Sequence, residues 1–204
     1  NKNLKKSLNQ NYRNFEVILY DDRSTDGSIE TIQKYKQINL IKNKKNYVHP
    51  PINQLEGIIK AFKKSMGEII CLMDSDDYFE KKKLEFVNKY FNKNKKKNIL
   101  FDIPFSKKKK FLPKQKNHSY SIWPSIIPTS GISLKRDTMK KFIEVSQRKK
   151  FHHLEIDSRI SIFSYHYINE MNYTKKRLTY YNIDPFGISS KYNKFSKLWW
   201  CKRF

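Results

Sequence analysis

Asp74-Ser75-Asp76-Asp77 closes the apolar run Ile69-Ile70-Cys71-Leu72-Met73, and its residue types point to a chemistry. Carboxylates crowded this closely repel one another unless a cation sits among them. Hard divalent cations take oxygen ligands, and Mg2+ or Mn2+ sites pair one or two carboxylates with a substrate phosphate. The tetrad is therefore a candidate metal-assisted site for a phosphorylated ligand. The same residues could form a solvated acidic turn that caps the next helix, expected from residue 80 to about residue 92. A short acidic motif alone does not separate the two readings.

The elements that must position these acids are legible on either side. The run 69–73 has the length and composition of a buried strand and is bounded by Gly67. A second predicted strand, 15–20, also ends in acids, Asp21-Asp22. Asp26-Gly27 reads as a turn, and Ser28 can cap a helix running to about residue 36. A short strand is expected at 38–41. Pro50-Pro51 breaks the chain, after which Ile52, Leu55, Ile58, Ile59 and Phe62 recur at helical spacing. The helix after the tetrad carries Leu84, Val87 and Phe91, and 99–103 reads as a further strand. This alternation implies a parallel α/β sheet covered by helices. Ligands of such sheets bind at the carboxyl ends of the strands, and right-handed crossovers place both acidic ends on one edge. Two acidic clusters at one edge favour a site over a solvated turn.

The second half alternates less clearly. Residues 106–120 are basic and loop-like. Ser130-Gly131-Ile132-Ser133-Leu134 reads as a short strand, and Asp137 as the cap of a helix through Phe142 and Val145. A helix is expected over 154–163, an edge strand over 178–183 and an aromatic, basic tail over 195–204. No internal repeat is present.

Composition bounds the function. A chain of 204 residues fits one domain, and 38% hydrophobic with 15% aromatic residues argues against disorder. No run approaches the roughly 20 apolar residues of a membrane span. The net charge of +24 favours phosphates, nucleic acids or anionic membranes. Yet of 43 basic residues only those at 13, 23, 136, 148, 159, 177 and 203 are Arg, the side chain suited to bidentate phosphate and base contacts. The lysine blocks 93–97 and 107–110 read as solvated surface. Cys71 and Cys201 suggest neither a disulfide framework nor zinc spacing, and a reducing compartment fits. The chain begins on Asn1 without Met, so it is expected to be a piece of a longer product.

Three segments, in order, carry a resemblance: 7–18, Asp21-Asp22-Arg23-Ser24-Thr25-Asp26-Gly27-Ser28, and Gly67-Glu68 through Asp77. Together they are similar to the family 2 (GT-A fold) glycosyltransferases, covering roughly the first 90 residues well and the remainder loosely. The resemblance implies a GT-A (Rossmann-like), mostly parallel sheet flanked by helices, with a smaller acceptor-side half. It divides the chain into a nucleotide-sugar-binding half at 1–105, a basic loop at 106–120, an acceptor-side half at 121–188 and a tail at 189–204. It implies a nucleoside-diphosphate-sugar donor, with a uridine preference, and Mn2+ or Mg2+. It also implies inverting transfer to an acceptor hydroxyl in glycan or polysaccharide synthesis. Asp22, with Asp21 beside it, takes the family's nucleobase-contacting place. Asp74 would lie near the ribose or metal, and Asp76 would hold the cation at the diphosphate. Asp77 is expected to cap the following helix. The family's base lies at the start of a helix in the second half, where Asp157 is chosen and Glu155 is the fallback; otherwise Asp157 pairs with Arg159 or caps the helix. Lys202 or Arg203 would close over the diphosphate. The family's first strand, with its nucleotide-holding segment, would precede Asn1. Nothing is assigned in Asn46 to Gln54, where the family often has a Gly- and Arg-containing stretch.

Two other classes compete. A nucleotidyltransferase shares the carboxylate metal site, but no Gly-rich phosphate loop followed by Lys is present. A basic nucleic-acid-binding protein would use the charge, but recognition signatures are missing and acidic strand ends would oppose a polyanion, so no nucleic acid is expected. The expected location is cytoplasmic. The charge, Trp199 and Trp200 are compatible with peripheral contact at the inner face of a membrane, as a lipid-linked acceptor would require.

Overall fold

A computed structural model describes residues 2–45, 49–106, 123–147, 151–182 and 196–197. The basic loop, most of the tail, Cys201, Lys202 and Arg203 fall outside the described residues. The first half runs α1 (Lys2–Leu8), β1 (Val17–Asp21), α2 (Ser28–Gln33), β2 (Ile38–Lys42), α3 (Pro50–Lys64), β3 (Ile69–Cys71), β4 (Tyr78–Phe79), α4 (Lys83–Lys93) and β5 (Ile99–Asp102). The second half has a 3-10 turn (Thr129–Gly131), β6 (Ile132–Lys135), α5 (Arg136–Ser146), α6 (Ile156–Ile162) with a π-helical turn (Phe163–Tyr167), β7 (Tyr173–Thr174) and β8 (Thr179–Tyr180).

The strands form three hydrogen-bonded groups, β1-β2, β3-β6-β5-β7 and β4-β8. The parallel pairing expected of the sheet holds for β1–β2 and β5–β7. β6 instead inserts between β3 and β5, antiparallel to both. An antiparallel neighbour falls outside the right-handed rule, which governs only parallel strand–crossover–strand units.

Side-chain alternation explains the layering. Ile99 and Phe101 enter the main core with Leu72, Ile132, Leu134 and the apolar faces of α3, α5 and α6. Leu100 points the other way, to Val87 and Phe91 of α4, with Ile69 and Cys71. Cys71 is half-buried, as a small hydrophobe on that face. With helices on both faces, β5 is buried along its whole length.

Two glycines permit close approach. A Cβ on Gly57 of α3 would sit 2.6 Å from the Tyr20 ring of β1. One on Gly131 would sit 2.5 Å from the Asp102 carbonyl oxygen. Gly57 lets α3 lie against β1, and Gly131 lets the 3-10 turn lie against β5.

Several helix starts differ from expectation. Pro50 and Pro51 occupy the first turn of α3 rather than preceding it, where a missing N–H costs nothing. Gly27, at φ 76°, is the N-cap of α2, and Asp26 accepts the Ser28 amide at 3.1 Å. Asp137 lies inside the first turn of α5, whose N-cap is Lys135. The helix after the tetrad begins at Lys83 rather than residue 80, because Tyr78 and Phe79 pair with β8. Asp77 therefore does not cap it.

Candidate active site

The two strands that end in acids belong to different hydrogen-bonded groups, and side chains tie them to each other and to α3. Glu16, just before β1, accepts the amides of Met66 and Gly67, just before β3. This staples the starts of the two strands together. Helix α3 registers their far ends. Gln54 Nε2 donates to Asp74 Oδ1 at 3.1 Å, and Lys60 Nζ donates to Asn43 Oδ1 at 3.2 Å. Asn43 in turn donates to Asp22 Oδ1 at 2.7 Å. The six residues from Gln54 to Lys60 span about 9 Å of helix.

Asp21 and Asp22 do different work. Asp21 is buried, and its carboxylate accepts the Arg23 amide at 3.0 Å and the Ser24 amide at 3.3 Å. It organises the turn, in which Arg23 adopts φ 66°. Asp22 is exposed and is presented by Asn43.

The tetrad is itself a turn, closed by the Asp77 amide donating to the Asp74 carbonyl at 3.2 Å. Three neighbours clamp it with four hydrogen bonds. Ser130 Oγ accepts the Asp74 amide at 2.9 Å. Asn3 of α1 donates to the Asp76 carbonyl at 2.8 Å, and the Asn182 side chain donates to the same oxygen. The Asn182 amide donates to Asp77 Oδ1 at 2.8 Å. Asp77 is fully buried, while Asp76 is exposed and Asp74 half-buried.

Asp157 joins this cluster from the second half. It lies in the first turn of α6, behind the N-cap Glu155, and its Oδ1 accepts the Ser158 amide at 2.6 Å. The Arg159 guanidinium donates to the carbonyls of Leu154 and Phe151, securing the loop that leads into α6. Burial pushes the Asp74 carboxyl up to about 7, with Asp77, Asp76 and Asp157 adding to the rise in that order. Burial likewise pushes Asp77 up to about 6, partly opposed by hydrogen bonds from Ser130 and Asn182. The half-buried Tyr181 hydroxyl rises to about 12, through burial and then the fields of Asp77, Asp157, Asp76 and Asp74. Four carboxylates and a phenol thus share one electrostatic neighbourhood.

Sequence reasoning passed over Gln54, Asn43, Ser130, Asn182 and Tyr181. Asn and Gln carry no charge pattern, and in the sequence Ser130 stands only at the start of an apolar strand-like run. Three histidines come together: His49, the N-cap of α3, stacks on His152 at 5.1 Å and meets His153 edge-on at 4.9 Å. They tie α3 to the turn before α6. Among the described residues, no three His, Cys, Asp or Glu are grouped to hold a metal ion. Lys202 and Arg203, expected at the diphosphate, lie outside the described residues.

The shifted carboxyls have a pH consequence. Asp74 and Asp77 titrate near 7 and 6 in the fold against an ordinary 3.8, so the folded state holds more protons than the unfolded state between those values. Their ionisation therefore lowers stability as pH rises from about 4 to 7. A divalent cation bound by the ionised acids would offset that loss. We expect Mn2+ alone to raise Tm by more at pH 8 than at pH 5.5 in thermal-shift titrations. Equal shifts would show that protons and metal do not compete here.

The mixed α/β domain with carboxylates at its strand ends has a GT-A fold, as the solved structures similar to it show. S. aureus TarS, residues 1–349 in complex with UDP-GlcNAc, matches with a TM-score of 0.67 at 17% identity, over 94% of this chain and 57% of that one. The sequence pattern of glycosyl transferase family 2 matches residues 1–144, and the chain belongs to that family. An uncharacterized glycosyltransferase of Rickettsia bellii is 33% identical over 135 residues, 62% of this chain and 18% of the relative. An Escherichia coli protein, UDP-Glc:alpha-D-GlcNAc-diphosphoundecaprenol beta-1,3-glucosyltransferase WfaP, is 37% identical over 73 residues, 36% of this chain and 28% of the relative. The chain thus spans under a third of the length of these two relatives. Among the described residues, no helix is long and apolar enough to cross a membrane.

Proposed function

We propose that this chain is the catalytic domain of an inverting glycosyltransferase. It moves a sugar from a UDP-sugar to an acceptor hydroxyl during glycan or cell-surface polysaccharide synthesis. The observation that carries this reading is the gathering of Asp74, Asp76 and Asp77 at the end of β3 within the field of Asp157 from α6. The first group suits a donor diphosphate, and the last suits an acceptor.

Hard oxygen donors with a carboxyl pushed up to about 7 fit a divalent cation, Mn2+ or Mg2+. Asp74 and Asp76 would hold it, and phosphate oxygens would complete a site that has too few protein ligands on its own. A cation bound there supplies Lewis-acid stabilisation of the leaving nucleoside diphosphate.

The chain's own residues supply the rest. Asp22, presented by Asn43, offers an acceptor oxygen to a nucleobase N–H. Gln54 and Ser130 fix Asp74 on both sides. Asp157 takes the acceptor hydroxyl proton as that oxygen attacks the anomeric carbon and the bond to the diphosphate breaks. The uridine preference draws support from the UDP-GlcNAc complex of TarS and the UDP-Glc donor in the name of the E. coli relative. That relative's name also states a diphosphoundecaprenol acceptor, and the +24 charge would suit contact with an anionic membrane carrying a lipid-linked acceptor.

The test is thermal stability with UDP, Mn2+ and both. At concentrations near 100 times Kd, UDP with Mn2+ should raise Tm by roughly 5–10 °C. No shift with any nucleoside diphosphate plus metal would overturn the reading. So would salt-sensitive binding to DNA or RNA without nucleotide binding.

A further inference from the structure

Lys83, the first residue of α4, is 0% exposed. A lysine is almost never fully buried unless paired, and its ammonium has three donors. Lys83 Nζ lies 2.8 Å from Asp102 Oδ2, 2.6 Å from the Ser130 carbonyl oxygen and 2.7 Å from Thr179 Oγ1. It also sits over the Phe79 ring at 3.9 Å. Asp102, Ser130 and Thr179 are themselves buried, and Thr179 Oγ1 donates to the same Ser130 carbonyl at 3.1 Å.

Ser130 faces two ways. Its carbonyl is held by Lys83 and Thr179. Its hydroxyl accepts the Asp74 amide and hydrogen-bonds the Asp77 carboxyl. A mechanical path therefore runs from β5 through Lys83 and the 3-10 turn to the acidic turn. Stability alone gives little reason for such a pair, because replacing a buried ion pair by packed apolar groups is often neutral or stabilising.

We propose that Lys83, anchored by Asp102, is a positioning residue that sets the acidic turn through Ser130. This deepens the donor-site reading above and rests on it for its catalytic meaning. The ion pair fixes the Ser130 carbonyl, which aims the Ser130 hydroxyl, which holds the Asp74 main chain in register with Asp76.

The deciding variant is Lys83→Met with Asp102→Leu, which leaves no lone buried charge. We expect its Tm to stay near the wild-type value while hydrogen exchange at the Asp74 amide speeds up about tenfold and the Kd for UDP in Mn2+ rises by a similar factor. An Asp74 amide as protected as in the wild type would overturn the inference. If the double variant does not fold, Asp102→Asn decides. It keeps the side-chain shape but removes the charge that anchors Lys83, and unchanged Asp74 exchange there would equally overturn the proposal. Amide exchange needs no nucleotide. Failure of the wild type to bind UDP with Mn2+ would overturn the donor-site reading, while the exchange result still decides the role of Lys83.

Discussion

Asp76→Asn should abolish the metal-dependent part of nucleoside-diphosphate binding and lower turnover by roughly 10²–10⁴-fold, about 3–5 kcal/mol of transition-state stabilisation. The main-chain carbonyl of Asp76 is pinned by Asn3 and Asn182, so the exposed side chain is carried on a fixed backbone. Asn keeps that shape and removes the charge. The fold should therefore be preserved, with metal-free Tm within a few degrees of the wild type, and the loss should appear only when Mn2+ is present. Calorimetric titration of UDP with and without Mn2+ reads this directly. An unchanged metal dependence would mean that Asp76 does not hold the cation. Asp74→Asn makes an instructive contrast. It removes a carboxyl pushed up by burial and by three acidic neighbours, so metal-free stability near pH 8 should rise even as metal binding falls.

Asp157→Asn should leave the Kd for UDP with Mn2+ within about twofold of the wild type and lower turnover by roughly 10²–10⁴-fold, the usual contribution of a positioned base. The substitution spares the hydrogen bonds from Ser158 that seat the side chain on α6. It carries a second signature. The Asp157 charge is one cause of the rise at Asp74, so its removal should let Asp74 ionise at lower pH. Mn2+ binding should then persist further into the acid range, an effect that a residue serving only the fold would not produce. Normal turnover in Asp157→Asn would move the base elsewhere, with Glu155, the N-cap of α6, next in line.

The acidic edge was legible because its chemistry is local. Two apolar runs each end in consecutive acids, and strand–helix alternation places such ends on one side. The helix positions of Ile52, Leu55 and Ile59 were legible for the same reason, since periodicity is a property of neighbouring residues. Asp77 shows the limit. It sits where a cap is expected, yet it is buried and accepts an amide from Asn182, far along the chain. The competing event was non-local: β8 pairs with Tyr78 and Phe79 and the Glu80 amide donates to the Leu178 carbonyl, which delays α4 to Lys83.

Lys83 makes the same point more sharply. In a chain with 43 basic residues, one more lysine reads as solvated surface. Its burial depends on Asp102, Ser130 and Thr179, which converge from β5, the 3-10 turn and β8. The division of labour between Asp21 and Asp22 is equally invisible in a bare pair of acids. It follows from the Arg23 and Ser24 amides closing on one and Asn43 reaching the other.

The order of residues was therefore sufficient to define an α/β scaffold and two acidic strand ends, because each is a short-range pattern of polarity and charge; the choice of Asp157 rested on the family resemblance. Tertiary structure alone decided that β6 runs antiparallel, that Asp77 is buried and that Asp157 enters the field of Asp74. It also decided that a buried lysine braces the turn between them. These outcomes depend on which distant groups desolvate one another, and desolvation is a property of the packed chain.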